Sequence, residues 1–200
     1  MRPLILIVSC DRDRFNGRQQ AAEETWVRRW EHLVAIRFVL GFGTMPPISS
    51  HELFVTAGDD YMSVPLKMQE ARDWALDHQH DYVFQACVDT WINVPALLRS
   101  GFGYHDYIGY RCDEGHASGG AGYWLSARAM LALTNSDIHV GWDDLIVGQA
   151  LAYHGIPLHV DSRYSPSAPR PPDFITAHLS KGIDKYDPAW MYECHWENTR

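Results

Sequence analysis

The stretch Pro3-Leu4-Ile5-Leu6-Ile7-Val8-Ser9, followed at once by Cys10-Asp11-Arg12, decides the fold class. A compact, β-branched apolar run bounded by charge reads as a buried strand. Outward from it, Asn16-Gly17 marks a turn, and Arg18–His32 carries Ala22, Trp26 and Trp30 at helical spacing. Val34–Gly41 reads as a second buried strand, Met45-Pro46-Pro47 as a loop, and Glu52–Thr56 as a short third strand. Pro65 opens a helix through Asp77, with Leu66, Ala71, Trp74 and Ala75 as its apolar face. Tyr82–Ala86 is a further apolar strand, with Asp89 just past its end. Strands alternating with helices imply an α/β domain with a largely parallel sheet. Ligands bind such sheets beyond the carboxyl ends of the strands, which points to Cys10–Arg18 and Cys87–Asn93.

Downstream, Gly119-Gly120-Ala121-Gly122 precedes Tyr123–Ser126 and a helix from about Ala127 to Leu133. Gly141-Trp142-Asp143-Asp144 precedes an apolar helix, Leu145–Tyr153; Gly155-Ile156-Pro157 ends it, and Leu158–Val160 reads as a short strand. Ser165–Pro172 holds four prolines in eight residues, which suits an extended loop or mobile flap. No internal repeat or domain boundary is visible, so residues 1–200 read as one domain.

Composition narrows the function classes. Hydrophobic residues make up 46% and charged residues 21%, an ordinary balance for a folded chain. The net charge of −8 argues against broad electrostatic binding to nucleic acid or an anionic membrane. Arg163, Arg170, Lys181 and Lys185 still form a local basic cluster around the proline-rich loop. Leu4–Val8 is too short for a signal-peptide core, and no run approaches the ~18–20 apolar residues of a membrane span. The sequence therefore reads as soluble and unexported. Its four cysteines, Cys10, Cys87, Cys112 and Cys194, lack paired spacing and are expected to be reduced thiols of a cytosol-like compartment.

Individual motifs admit two readings each. Asp89 suits either a turn or cap, or a hard cation carrying a diphosphate. Asp143-Asp144 caps a helix, yet two acids leave one available as a general base for a hydroxyl proton. The glycine run permits close backbone approach to a ligand or a tight turn, and it is neither a dinucleotide fingerprint nor a P-loop. His178, in the late apolar stretch Phe174–His178, is a structural histidine or a ligand.

Their order carries more than any one of them. Arg18…Glu24-Thr25-Trp26, Phe38–Gly41, Asp60-Tyr61…Leu66-Lys67…Trp74, Asp89–Asn93, Ser118–Tyr123, Asp143-Asp144…Gly148 and His178 form a series that resembles the Fringe and β-1,3-galactosyltransferase/N-acetylglucosaminyltransferase family. The resemblance runs from about Ile5 to His178. It implies a single GT-A type nucleotide-binding α/β sandwich with a mostly parallel central sheet flanked by helices. It also implies a metal-dependent, inverting transfer of a sugar from a nucleotide donor, with UDP the expected nucleotide.

By the same resemblance, Ser9, Cys10 and Asp11 line the donor base and ribose, and Arg18, Lys67, Cys87, Val88, Gly119 and Gly120 complete the donor site. Asp89 and His178 hold Mn²⁺ or Mg²⁺, and Asp144 is the catalytic base. Trp91, Tyr123, Trp142 and Asp143 shape the sugar and acceptor pocket. The family's three-aspartate run is here Cys87-Val88-Asp89, so weaker metal affinity is expected. A membrane stem and an obvious disulfide set, usual in Golgi members, are also missing from the pattern. That suggests a cytosolic bacterial, phage or other viral enzyme acting on a glycan or on a hydroxymethylated base in phage DNA. The competing reading is a catalytically inactive nucleotide- or sugar-binding protein of the same fold.

Overall fold

The first strand, β1 (Pro3–Val8), is buried through Leu4, Ile5, Leu6 and Ile7 and forms the axis of the fold. The computed structural model describes residues 1–43, 45–166, 173–180 and 186–199. After β1 come α1 (Asp11–Phe15) and α2 (Arg18–Ala22), the latter running through a π-helical turn at Glu23–Val27 into α3 (Arg28–Trp30). Next are β2 (Ala35–Phe42), β3 (Glu52–Gly58), α4 (Val64–Asp77), β4 (Tyr82–Cys87), β5 (Thr90–Ile92) and α5 (Val94–Leu98). The chain continues with β6 (Tyr107–Gly109), β7 (Tyr123–Ser126), α6 (Ala127–Thr134), α7 (Asp143–Tyr153), β8 (His159–Val160), β9 (Tyr164–Ser165), β10 (Thr176–His178) and α8 (Ala189–Asn198).

Among the described residues, seven strands form a sheet in the order β3-β2-β1-β4-β7-β6-β8, and only β7 runs against the rest. The chain leaves β1 toward β2 on one side and returns to β4 on the other. That reversal opens a crevice at the carboxyl ends of β1 and β4, where a doubly wound sheet binds ligands. A second sheet, β5-β10-β9, lies beside it, with β10 antiparallel to β5.

The sheet is covered on both faces. One core gathers Ile5, Ile7, Trp26, Phe84 and Trp124; the other gathers Leu4, Leu6, Met68, Leu125 and Val147. Helix α4 is rotated from the expected apolar face: it buries Lys67, Met68, Ala71, Arg72 and Ala75, while Leu66 and Trp74 are half-buried. The two buried cations have polar partners, Lys67 on Ser9 and Asp59 and Arg72 on Gln85, which hydrophobic periodicity does not register. The C-terminal segment, unassigned from sequence beyond packing or an acceptor rim, forms α8 and buries Met191 and Cys194 in the first core.

None of the four cysteines takes part in a disulfide. Among the described residues no helix is long and apolar enough to cross a membrane. The expected flap lies largely outside the described residues, as do Arg170, Lys181 and Lys185 of the expected basic cluster. Arg163, the remaining member, is engaged by Asp161 through Nε and Nη2 at 3.0 and 2.6 Å.

Candidate active site

A cavity of about 410 Å³ opens at the β1/β4 crevice. It is lined by Arg18, by Asp89 and His178, by Gly119 and Gly120, and by Asp143 and Asp144 at the start of α7. Each arrives by a distinct structural device. Asp89 sits in the turn between β4 and β5, and antiparallel pairing of β10 with β5 sets His178 opposite Thr90. The Leu179 amide donates to the Asp89 carbonyl at 3.0 Å, locking that register. Two buried threonines pin the glycine loop: Thr90 Oγ1 donates to the Gly120 carbonyl at 2.8 Å, and Thr176 Oγ1 to the Ala121 carbonyl at 2.6 Å.

His178 Nε2 lies 3.5 Å from Asp89 Oδ2. Burial alone would lower the imidazole, but the hydrogen bond and charge of Asp89, with the Pro166 backbone, override it and the net direction is upward. A carboxylate oxygen and an imidazole nitrogen this close, facing a cavity rich in acids, form a donor set that fits a divalent cation.

The two acids of α7 are treated differently. Asp144 Oδ2 accepts the Gly119 amide at 2.9 Å, and its Oδ1 accepts the Leu145 amide at 3.0 Å. These two N–H groups fix the direction in which the carboxylate points. Asp143 is deeply buried: its Oδ2 accepts the Tyr123 hydroxyl at 2.9 Å and the Gln85 side-chain amide. Its Oδ1 has no hydrogen bond and lies 3.8 Å from Arg72 Nη1. Burial raises the Asp143 carboxyl, opposed by Arg72.

Of the residues expected here, Arg18, Cys87, Val88, Asp89, Gly119, Gly120, Asp143, Asp144 and His178 line the one cavity. Arg18 is steadied by Asp13 at 3.2 Å and by the Tyr186 ring at 5.1 Å. Burial drives the Cys87 thiol well up, so it is neutral. Others sit elsewhere. Val8, Arg12 and Asp13 line the cavity in place of Ser9, Cys10 and Asp11. Ser9 is buried with its hydroxyl on Gln19, Cys10 turns to Asp13, and the Asp11 carboxylate turns to Arg14 and the Met45 amide. Burial and Asp13 push the Cys10 thiol up to about 11.

Lys67 is a strut rather than a cavity contact. It is 1% exposed, its Nζ donates to the Ser9 carbonyl and lies 3.1 Å from Asp59. Asp59 in turn accepts the Asp11 and Gly41 amides, tying the ends of β1 and β2 together. Trp91 packs in the core near Phe174 and is not among the residues that line the cavity. Tyr123 is fully buried, does not line the cavity, and touches the lining residue Asp143 through its hydroxyl. Trp142 lies beside the cavity-lining Gly141 and is 63% exposed.

Sequence reasoning assigned no site role to Arg72, Gln85 or Asp59, and did not single out Asp13 within the expected segment Cys10–Arg18 or Tyr61 within the motif series. Gln85 left a signal of its own, as the polar interruption of the apolar run Tyr82–Cys87.

The sequence matches no family model and no curated protein. Solved structures do match. A glycosyltransferase involved in the glycosylation of the major capsid of PBCV-1 superposes with a TM-score of 0.53 at 11% identity, over 97% of this chain and 100% of that one. The catalytic domain of Drosophila β1,4-galactosyltransferase 7, in complex with xylobiose, gives 0.54 at 12% identity, over 98% of this chain and 81% of that one. At such identities the likeness is one of fold: a mixed α/β domain with a mostly parallel central sheet, as in these GT-A type glycosyltransferases.

Proposed function

We propose that the chain is a glycosyltransferase, acting as a single domain, that moves a sugar from a nucleotide donor, UDP in the first instance, to an acceptor hydroxyl with inversion at the anomeric carbon. The observation that carries this reading is the arrangement of Asp144 and the Asp89–His178 pair around one cavity at the β1/β4 crevice. The motif order that resembles the Fringe and β-1,3-transferase group supports the same assignment.

Asp89 and His178 would hold a divalent cation, Mn²⁺ rather than Mg²⁺ because magnesium favours all-oxygen ligands. When bound, that ion would offset negative charge on the departing nucleoside diphosphate. Arg18 supplies a second cation on the same cavity wall. Asp144, oriented by the Gly119 and Leu145 amides, takes the proton of the acceptor hydroxyl. The acceptor oxygen forms its bond to the anomeric carbon as the bond from that carbon to the phosphate oxygen breaks on the opposite face. The exposed Trp142 indole offers a stacking surface for an acceptor sugar at the rim. Arg163, paired with Asp161, is a poor phosphate contact, so a glycan acceptor fits better than DNA.

The test is calorimetry of UDP, GDP, CDP and UDP-sugars with Mn²⁺ and with EDTA, followed by donor hydrolysis. Metal-dependent UDP binding lost in Asp89→Ala, with turnover lost in Asp144→Asn while binding persists, is the expected result. Binding without turnover in the unaltered chain would favour the inactive binder instead. No nucleotide binding under any condition would reduce the relationship to shared fold.

A further inference from the structure

We infer that the hairpin Arg111–Ala117 is a binding site for a zinc-class metal ion, formed by Cys112, Glu114 and His116 and separate from the cavity. The sequence Cys112-Asp113-Glu114-Gly115-His116 places three different ligand types at alternating positions. The fold turns that spacing into a cluster. Arg111 and Ala117 pair as an antiparallel bridge, the Cys112 amide donates to the His116 carbonyl at 2.8 Å, and the Gly115 amide to the Cys112 carbonyl at 3.0 Å. One ligand atom from each of the three side chains then lies within 4.8 Å of the others. A tetrahedral zinc ion holds its ligand atoms about 3.3–3.8 Å apart, given metal–ligand distances of about 2.0–2.3 Å. The exposed Glu114 side chain is free to close the difference.

The histidine is oriented as a ligand. Its Nδ1 lies 2.9 Å from the Ala117 carbonyl, which only accepts, so Nδ1 carries the proton and the Nε2 lone pair is left to coordinate. That Nε2 is 3.9 Å from Glu114 Oε2. The base of the side chain is held as well: a Cβ at Gly148 of α7 would meet His116 Cβ at 2.3 Å, so the helix packs directly on that residue. Burial, with the charges of Asp144, Glu114 and Asp113 adding to it, raises the Cys112 thiol, so an ion that binds there displaces the thiol proton.

The thiolate-imidazole-carboxylate set selects a borderline ion such as Zn²⁺ over Mg²⁺ or Mn²⁺, with water completing four ligands. The hairpin runs directly into Ser118 and Gly119, whose amide holds Asp144, so a bound ion would clip that loop in place.

The full chain, stripped with chelator, is titrated with Co²⁺. Expected are a thiolate-to-cobalt charge-transfer band and four-coordinate visible bands saturating at one equivalent and displaced by Zn²⁺. Cys112→Ser abolishes the band, His116→Ala and Glu114→Gln weaken binding at least tenfold, and Asp89→Ala keeps it. Circular dichroism of the metal-free variants checks folding; because Glu114 is exposed, Glu114→Gln tests the site even if another variant misfolds. A missing thiolate band, a band surviving in Cys112→Ser, loss in Asp89→Ala, or unchanged affinity in Glu114→Gln would overturn the inference. The spectrum reads this site directly, so the outcome does not depend on nucleotide binding.

Discussion

Gly120 and His178 are packed so closely that a Cβ at residue 120 would lie 2.5 Å from His178 Nδ1. The missing side chain lets the imidazole reach 3.5 Å from Asp89 while the Gly120 carbonyl is fixed by Thr90. Gly120→Ala must therefore displace the histidine or the loop. Metal-dependent UDP affinity is expected to fall at least tenfold, with the circular dichroism spectrum retained. The double variant Gly120→Ala/His178→Ala should bind no more weakly than His178→Ala alone, because both act through one group. Additive losses in calorimetry would mean that Gly120 contacts the donor independently.

Lys67 has a structural signature distinct from a donor contact. Its ammonium is buried between the Ser9 carbonyl and Asp59. Lys67→Met leaves Asp59 without its cation, and breaking a buried pair costs about 3–5 kcal/mol. For a chain of this size that corresponds to a melting-temperature loss of roughly 6–20 °C. Calorimetric melting should show this drop in the absence of any nucleotide. An unchanged melting temperature with weakened UDP binding would return Lys67 to the donor site.

The legible parts of the fold were those with local signals. β1 is a continuous apolar run, β2 and β4 are apolar apart from Arg37 and Gln85, and the ends of β1 and β4 mark the crevice from local pattern alone. The Asp143-Asp144 pair was also visible, though it forms the first turn of α7 rather than preceding it. β6, β9 and β10 have two or three residues each, too few for a period to emerge. The β5–β10 pairing that joins Asp89 to His178 connects distant segments, and local pattern does not encode it. Trp91 and Tyr123 lie in the core rather than on the cavity wall, and an aromatic beside a motif has the same sequence appearance in either place.

The Arg72–Gln85–Asp143 network, two of whose members line the cavity, makes a sharp energetic prediction. Arg72 Nη1 donates to Gln85 Oε1 at 2.9 Å, and Gln85 hands its amide to Asp143. Arg72→Met leaves the Asp143 charge uncompensated and should cost about 3–5 kcal/mol in urea unfolding. Adding Asp143→Asn removes that orphaned charge, so the double variant is expected to recover part of the loss. If Asp143→Asn instead adds a full penalty of its own, the two groups are not coupled.

His80 predicts an acid-side loss of stability away from the cavity. It follows α4, lies near Trp74 in a stacked arrangement with ring centroids 6.1 Å apart, and its Nδ1 lies 3.3 Å from the Arg2 carbonyl. Burial lowers its imidazole from 6.5, with Arg2, His78 and Arg37 adding positive charge, while the Arg2 carbonyl opposes the shift. A histidine depressed in the folded state takes up its proton more readily when unfolded. Its contribution is therefore intact above the unfolded value near 6.5 and is lost as pH falls through the lower folded value. The melting temperature of the parent chain should decline from about pH 7 to pH 5, and His80→Gln should flatten that decline. Parallel pH–melting curves for the two chains would show that the acid sensitivity arises elsewhere.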